Sequence, residues 1–313
     1  MRKKHQPFTH YALRRYDYRD DHNNDYDYEK GCEPMSLRFI DQAWPDLTKA
    51  VKKNTLILLP LGQVEEHGEH LPVSTDYVIA QEVAARIAQE AAKKIPLLLM
   101  PTIWTGYSQS ELAQWPGTIR LRTRTLMDLL FDVCASLIEM GFRKIVILNS
   151  HGHHPGIINV VLRELSDRFG NVFCASAGRL ARPMRKKHLA VAAIANLPSM
   201  CKEEYAKLRT SAPGGSIHGG EWETSLMLAL NQPVNMKKAT KRDIFKYSSP
   251  FVPLDNFSGS KKVDWSTWAI QKSKTGIYGD PTVASRATGE VMIRAIVANA
   301  CRFLLEYYRY NRV

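Results

Sequence analysis

The chain has 313 residues, 44% of them hydrophobic and 24% charged, with a formal net charge of +12. That balance is globular and leaves room for one large α/β domain or two smaller ones. It contains no apolar run long enough to span a membrane, and no apolar stretch follows the basic N-terminus as a secretory signal would require.

Residues 1–35 stand apart: they are rich in Tyr, Asp, Arg and Asn and almost free of aliphatic side chains. Such a segment buries too little apolar area to offset chain entropy. It is expected to be an extension, disordered or packed at an interface, ahead of a single domain over residues 36–313. Leu56-Ile57-Leu58-Leu59-Pro60 reads as a buried strand ended by Pro and Gly. Glu65-Glu66-His67-Gly68-Glu69-His70-Leu71-Pro72 follows, then Thr75-Asp76. If the backbone stays extended, Glu65 and His67 face one pocket and Glu66 turns away. A helix is expected over residues 77–93, from the apolar stripe Ile79, Val83, Ile87, Ala91, with Thr75 or Asp76 able to cap it. The pattern then gives a strand at 97–100, a polar aromatic loop at 104–117, a helix at 125–140 and a strand at 144–149.

That last strand runs into Ser150-His151-Gly152-His153-His154-Pro155-Gly156. A helix over 157–169 and a strand over 172–175 follow. Residues 180–211, basic and alanine-rich, are expected to be helical. His218-Gly219-Gly220-Glu221-Trp222-Glu223 opens another helix, and a long terminal helix spans 284–308. Strands alternating with amphipathic helices indicate a parallel sheet covered on both faces. Loops at the carboxyl ends of such strands carry ligands, so the two histidine-rich loops should share one rim.

The five cysteines are scattered and form no C-x-x-C, which argues for reduced thiols in a cytoplasm and against a thiolate zinc site. Basic residues lie in short clusters without a stripe or an aromatic-interleaved motif, so no nucleic-acid partner is expected. Dinucleotide, P-loop, nucleophile-elbow and H-E-x-x-H signatures are all missing. Three polar clusters remain: Glu65/His67/His70/Asp76, His151/His153/His154 and His218/Glu221/Glu223. Oxygen and imidazole donors together suit zinc, manganese or iron. Three carboxylates, from Glu65, Asp76 and Glu221, plus one hydroxide would balance two divalent ions, which lowers the cost of a dry site.

These motifs resemble the creatininase (creatinine amidohydrolase) family. The resemblance runs from Leu59-Pro60-Leu61-Gly62 through Glu65-x-His67-Gly68-x-His70-Leu71-Pro72, Thr75-Asp76, Pro116-Gly117-Thr118 and Asn149-Ser150-His151-Gly152. It continues through His218-Gly219-Gly220-Glu221-Trp222-Glu223-Thr224-Ser225 to Gly276-x-x-Gly279-Asp280-Pro281. It implies a three-layer α/β/α sandwich with a mainly parallel central sheet, two divalent metal ions per chain and a homo-oligomer, often a hexamer. Zn2+ is the expected ion, with Mn2+ or Fe2+ as alternatives. Glu65 and His151 look like ligands of one metal, His67 like a ligand of the other, and Asp76 like the bridge. The remaining carboxylate is expected from Glu221, with His153 as the alternative ligand. His153, His154 and Leu112 depart from the family pattern, which puts creatinine itself in doubt as substrate.

The function expected is hydrolysis of a C–N bond in a small cyclic amide or formamide by a metal-activated water. His218 would carry the proton to the leaving group, with Glu223 orienting it and His70 supporting a ligand. Two alternatives stand beside it. One is C–C hydrolysis of a cyclic ketone such as 3-dehydro-scyllo-inosose, and the other is a metal-holding binding protein without turnover.

Overall fold

The computed structural model describes residues 36–170, 189–194, 196–244, 247, 249–258, 262–263, 270 and 272–310. The expected extension over residues 1–35, the expected strand at 172–175, Cys32, Cys174, Trp265 and Trp268 lie outside the described residues.

In chain order the elements are α1 (Trp44–Lys52), β1 (Leu56–Leu61), α2 (Thr75–Ala92), β2 (Leu97–Leu99), α3 (Thr123–Glu139), β3 (Lys144–Asn149), α4 (Pro155–Leu165), β4 (Ala190–Ile194), α5 (Lys202–Leu208), α6 (Glu221–Ala229) and α7 (Arg286–Tyr310). The strands form one sheet in the order β2-β1-β3-β4, every pairing parallel. β1 and β3 sit in the middle and are buried along their whole length. Both faces of a central parallel strand must be covered, which is why LILLPL and KIVILN are nearly unbroken apolar runs.

Alternation along each strand sorts the core into two layers. Leu56, Leu58, Val146 and Leu148 point to one face, against Ile79, Val83 and Ile87 of α2, Trp222 and Leu226 of α6, and Met292 and Ile296 of α7. Ile57, Leu59, Leu61, Ile145 and Ile147 point to the other, against Leu126, Leu130 and Leu137 of α3 and Ile158 and Val161 of α4. The result is a three-layer α/β/α sandwich. Among the described residues, no helix is long and apolar enough to cross a membrane.

Two local expectations give way to tertiary context. Ala190–Ile194 is the fourth strand rather than helix, pairing with β3 from Lys144↔Ala190 to Leu148↔Ile194. Alanine favours helix by only tenths of a kcal/mol per residue over most others, and an open edge of hydrogen-bonding groups on β3 outweighs that. Helix α2 begins at Thr75 with Ser74 in the capping position and no side-chain cap bond. Thr75 instead donates its hydroxyl to the Pro72 carbonyl at 2.6 Å, so the Asp76 carboxylate is not used as a cap.

Helices α6 and α7 approach closely at Gly289, where a Cβ would lie 1.9 Å from the Ser225 carbonyl oxygen. Alanine normally improves a helix interior by about 1 kcal/mol over glycine. Here the clash is with backbone, and relieving it must separate the helices. Gly289→Ala is expected to destabilise the fold by about 1–3 kcal/mol, read as a lower urea midpoint. A midpoint at or above wild type would show that the two helices are free to move apart.

Candidate metal centre

Four pieces of chain meet at the carboxyl ends of the central strands. Glu65 and His67 come from the loop after β1, and Asp76 from the first turn of α2. His151, His153 and His154 follow β3, while His218 precedes α6 and Glu223 sits in its first turn. Backbone bonds tie these loops together: Glu65 N donates to the Val73 carbonyl at 3.0 Å, and Tyr77 N to the Gln63 carbonyl at 3.2 Å. Ser150 links the β3 loop to both neighbours. Its amide donates to the Leu61 carbonyl at 3.1 Å and its hydroxyl to the Asp76 carbonyl at 2.8 Å. Gly219 takes a φ of +59° beside the His67 carbonyl, a left-handed turn that brings His218 over the first motif.

The side chains are almost fully buried: Glu65 and His67 are 0% exposed, Asp76 1%, His151 and His218 4%. Asp76 Oδ2 lies between two imidazoles, 3.1 Å from His151 Nδ1 and 3.6 Å from His67 Nε2. Glu65 Oε2 accepts from the Ser108 hydroxyl at 2.5 Å. Its Oε1 faces His151 Nδ1 at 3.5 Å and His218 Nδ1 at 3.4 Å. Glu223 Oε2 accepts from the Gly219 amide at 2.6 Å and stands 3.8 Å from His67 Nε2. His67 donates Nδ1–H to the Glu65 carbonyl at 3.0 Å, which leaves Nε2 as its lone-pair nitrogen. The His218 ring stacks on His67 at 4.2 Å and donates Nε2–H to the Glu66 carbonyl at 2.7 Å.

The electrostatics are those of charged and neutral groups crowded out of water. Burial, with His218 second, pushes His67 down to about 3. Burial and then His151 hold His153 well below the ordinary histidine value. Burial raises Glu65, and it raises Glu223 to about 8 with help from the Asp76 charge. For Asp76 burial also pulls upward, but His151 and His67 outweigh it and the carboxyl lies below its usual value. His218 reaches about 10 against the effect of burial, because Glu66 and Glu65 stabilise its charged form.

Three groups of ligand-capable atoms lie within 4.8 Å of one another: Glu65/His67/His218, Glu65/His151/His153 and His67/Asp76/Glu223. Glu65 Oε1, His67 Nε2 and His151 Nε2 are buried without a hydrogen-bond partner. Buried polar atoms are normally satisfied, so unpartnered atoms on residues of these overlapping groups fit a centre able to take a divalent cation. Helix geometry separates the two glutamates of α6. Residues two apart on a helix point in quite different directions, and only Glu223 faces His67. Glu221 turns toward the adjoining loop, where its carboxylate accepts from Tyr205 Oη (3.0 Å), Thr210 N (3.0 Å) and Ser211 N (2.8 Å).

Ser108 and Glu66 also border the centre: the extended reading turned Glu66 away, yet its carbonyl accepts from His218 Nε2 and its Oε1 lies 3.5 Å from the same atom. Ser108 lay in the polar loop read at 104–117, but nothing in that loop singled out one hydroxyl. His70 stands further back, its Nε2 3.0 Å from Thr224 Oγ1. His154 faces away from the three groups. Its Nε2 accepts from the Tyr107 amide at 3.2 Å, and its Nδ1–H donates to Asn149 Oδ1 at 2.9 Å. Asn149 in turn donates to the His151 carbonyl at 2.7 Å. His154 thus ties the loop carrying Ser108 to the turn carrying His151.

A parallel α/β/α sandwich with carboxylates and imidazoles gathered at its strand ends offers a candidate site for divalent ions. The chain belongs to the creatininase family: the family model described as creatinine amidohydrolase matches residues 41–304. It is similar to the mycofactocin precursor peptide peptidase of Mycobacterium tuberculosis, 30% identical over 79% of this chain and 83% of that protein. It is also similar to the creatinine amidohydrolase of Pseudomonas putida, 28% identical over 77% of this chain and 85% of that protein. With the 3-dehydro-scyllo-inosose hydrolase of Thermotoga maritima it shares 27% identity over 63% of this chain and 57% of that protein. Among solved structures, a mutant creatininase of "Zn-Zn type" aligns with a TM-score of 0.67 and 22% identity. That alignment covers 87% of this chain and 98% of the other, and a structure described as creatininase Mn aligns at 0.66. These relatives are hydrolases, and this chain is an enzyme of the same hydrolase family.

Replacing His154 by alanine removes the acceptor of the part-buried Tyr107 amide and takes a fully buried side chain from between the two loops. The chelator-treated protein carrying His154→Ala is expected to lose about 1–3 kcal/mol in urea unfolding. Wild-type stability in that variant would show that the loops are held by other contacts.

Proposed function

We propose that this chain hydrolyses a C–N bond in a small amide substrate at a centre of two divalent ions. The observation that carries the reading is the Asp76 carboxylate set between His67 and His151, each flanked by a further carboxylate, Glu223 on one side and Glu65 on the other. Glu65, Asp76 and His151 would hold one ion, and His67, Asp76 and Glu223 the other. Glu223 takes the place in this set expected from Glu221, whose carboxylate is committed to Tyr205, Thr210 and Ser211. When bound, the ions would polarise the scissile carbonyl and acidify a water molecule.

His218 is the proton carrier in this reading. Its Nε2–H is fixed to the Glu66 carbonyl, so Nδ1, facing Glu65, is the atom that takes up and returns a proton. Cationic charge nearby would bring its elevated pKa down toward neutrality, where a group both accepts and donates. The stacked His67 ring and the Glu66 carbonyl hold the imidazole in one orientation.

Amide chemistry is favoured because relatives named as a creatinine amidohydrolase and a peptide peptidase both cut C–N bonds, one cyclic and one linear. The second reading is C–C cleavage of a cyclic ketone, supported by the likeness to an inosose hydrolase. Turnover on a panel of cyclic amides, formamides, short peptides and keto-inositols separates the two, and no metal-dependent turnover on any of them would sink both.

Elemental analysis is expected to find two divalent ions per chain. Glu223→Gln should lose one of them, whereas Glu221→Gln should retain both and melt at a lower temperature. The opposite pattern would restore Glu221 as the ligand. His218→Ala is expected to keep both ions and to lose a factor of about 10²–10⁴ in kcat. Full activity in that variant would remove His218 from the chemistry.

A further inference from the structure

Helix α7 has a broad apolar face, and the core uses only part of it. Met292, Ile296, Ala300 and Leu304 are fully buried in the layer they share with α2. Ile293, Val297, Cys301 and Leu305 repeat at the same spacing, one residue further round the helix. The last three are only half-buried, and with Ile293 they floor a groove of about 760 Å³ between α7 and α2. Positive charge rims it. Arg86, Lys93 and Lys94 stand on the α2 side and Arg294 and Arg302 on the α7 side, against one acid, Glu90, among the described lining residues. Lys93 is paired with Glu90 at 2.8 Å, and Arg86 with Glu82 at 3.1 Å. Lys94, Arg294 and Arg302 are exposed and form no ion pair among the described residues.

We propose that this groove receives an acidic amphipathic helix of a partner protein. A concave apolar floor with cations on both rims is complementary to a helix whose apolar stripe is flanked by Asp or Glu. The extent of the charge selects among acidic ligands. On each helix the outermost cations are eight residues apart, a rise of about 12 Å, or roughly two turns. A small amphiphile with one acidic head would meet the cations at one end and leave the others unmatched. A flat anionic bilayer would meet the rims but not the floor. A helix of two or three turns meets both, placing acids along its length and its apolar stripe between them. The groove is also remote from the candidate metal centre: Arg86 follows Asp76 by ten residues of α2, about 15 Å along the axis. Occupancy here is therefore independent of what that centre holds.

The probe is a fluorescein-labelled synthetic peptide of about 15 residues, enough to span the lined length of α7, with leucine at i, i+3, i+4 and i+7 and glutamate on both flanks. Fluorescence anisotropy with the full-length protein should show saturable binding that weakens as salt rises. A scrambled peptide of the same composition and a version with lysine for glutamate should each bind roughly tenfold more weakly or worse. The double variant Arg294→Glu/Arg302→Glu should weaken the acidic peptide by a similar factor, and so should Val297→Asp. The two arginines are exposed, so that double variant should unfold at the wild-type urea midpoint and keep the wild-type metal content. Should Val297→Asp fold poorly, the charge variant decides by itself. No binding of the acidic peptide, equal binding of the scrambled one, or unchanged affinity in the charge variant would overturn the inference. Displacement of the peptide by phosphatidylserine vesicles would assign the groove to a lipid surface instead. A wild-type dimer that Arg294→Glu/Arg302→Glu dissociates in sedimentation equilibrium would assign it to a second copy of this chain, and either result overturns the partner helix.

Discussion

The Asp76 carboxylate lies between the His67 and His151 imidazoles, out of contact with water, and the rest of the centre is arranged around it. Removing a carboxylate from water is expensive unless opposite charge or hydrogen bonds replace the lost hydration. Here two carboxylates with raised pKa values, Glu65 and Glu223, crowd the same volume, and their desolvation adds to that of Asp76. Histidine charge offsets part of it, as the upward shifts of His151 and His218 indicate. Unpartnered atoms on Glu65 and His67 mark where further positive charge would be most favourable.

Such a cluster keeps its geometry only on a rigid frame. The β1–β3 ladder runs through six residue pairs in register, from Leu56↔Lys144 to Leu61↔Asn149, and both histidine-bearing loops leave it at the same end. Ser150 then fastens the β3 loop to the first turn of α2, and His154 fastens the same loop to the segment carrying Ser108. The α6 side is held separately. Asp280 N donates to the Gly215 carbonyl at 2.9 Å and Tyr278 N to the His218 carbonyl at 2.9 Å, so the glycine-rich turn near the start of α7 positions His218. Gly276 has a φ of +75°, and a Cβ there would strike Glu66 Oε2 at 2.1 Å. Only glycine lets that turn pass behind the carboxylate.

The same frame explains how chemistry can vary within one family. The candidate donors come from loops and first helical turns, not from the sheet, so one side chain there can be exchanged without disturbing the core. His153 stands at such a place: its ring packs on His151 and Tyr107 beyond the end of β3. Relatives named for a peptide, a creatinine ring and a keto-inositol fit a scaffold whose loops carry the specificity.

Much of this was readable in the residues themselves. Unbroken apolar runs located β1, β2 and β3 to within a few residues, because burial on both faces of a sheet demands them, and an apolar stripe at helical spacing located α2. The motifs pointed to the family, and that resemblance suggested Glu65, His67, Asp76, His151 and Glu221 as ligands; the fold gathers the first four and turns Glu221 aside. Other features depended on distance in space. β4 is a strand because β3 presents an open edge to Ala190–Ile194, a partner that no local propensity encodes. Glu221 and Glu223 are equivalent in sequence, two acids in one helical turn. Only the rotation of α6 against the first motif decides that Glu223 meets His67 while Glu221 meets Tyr205. Ser108 and Glu66 became visible for the same reason: a hydrogen bond joins atoms that the fold brings together, and residue order carries no record of that approach.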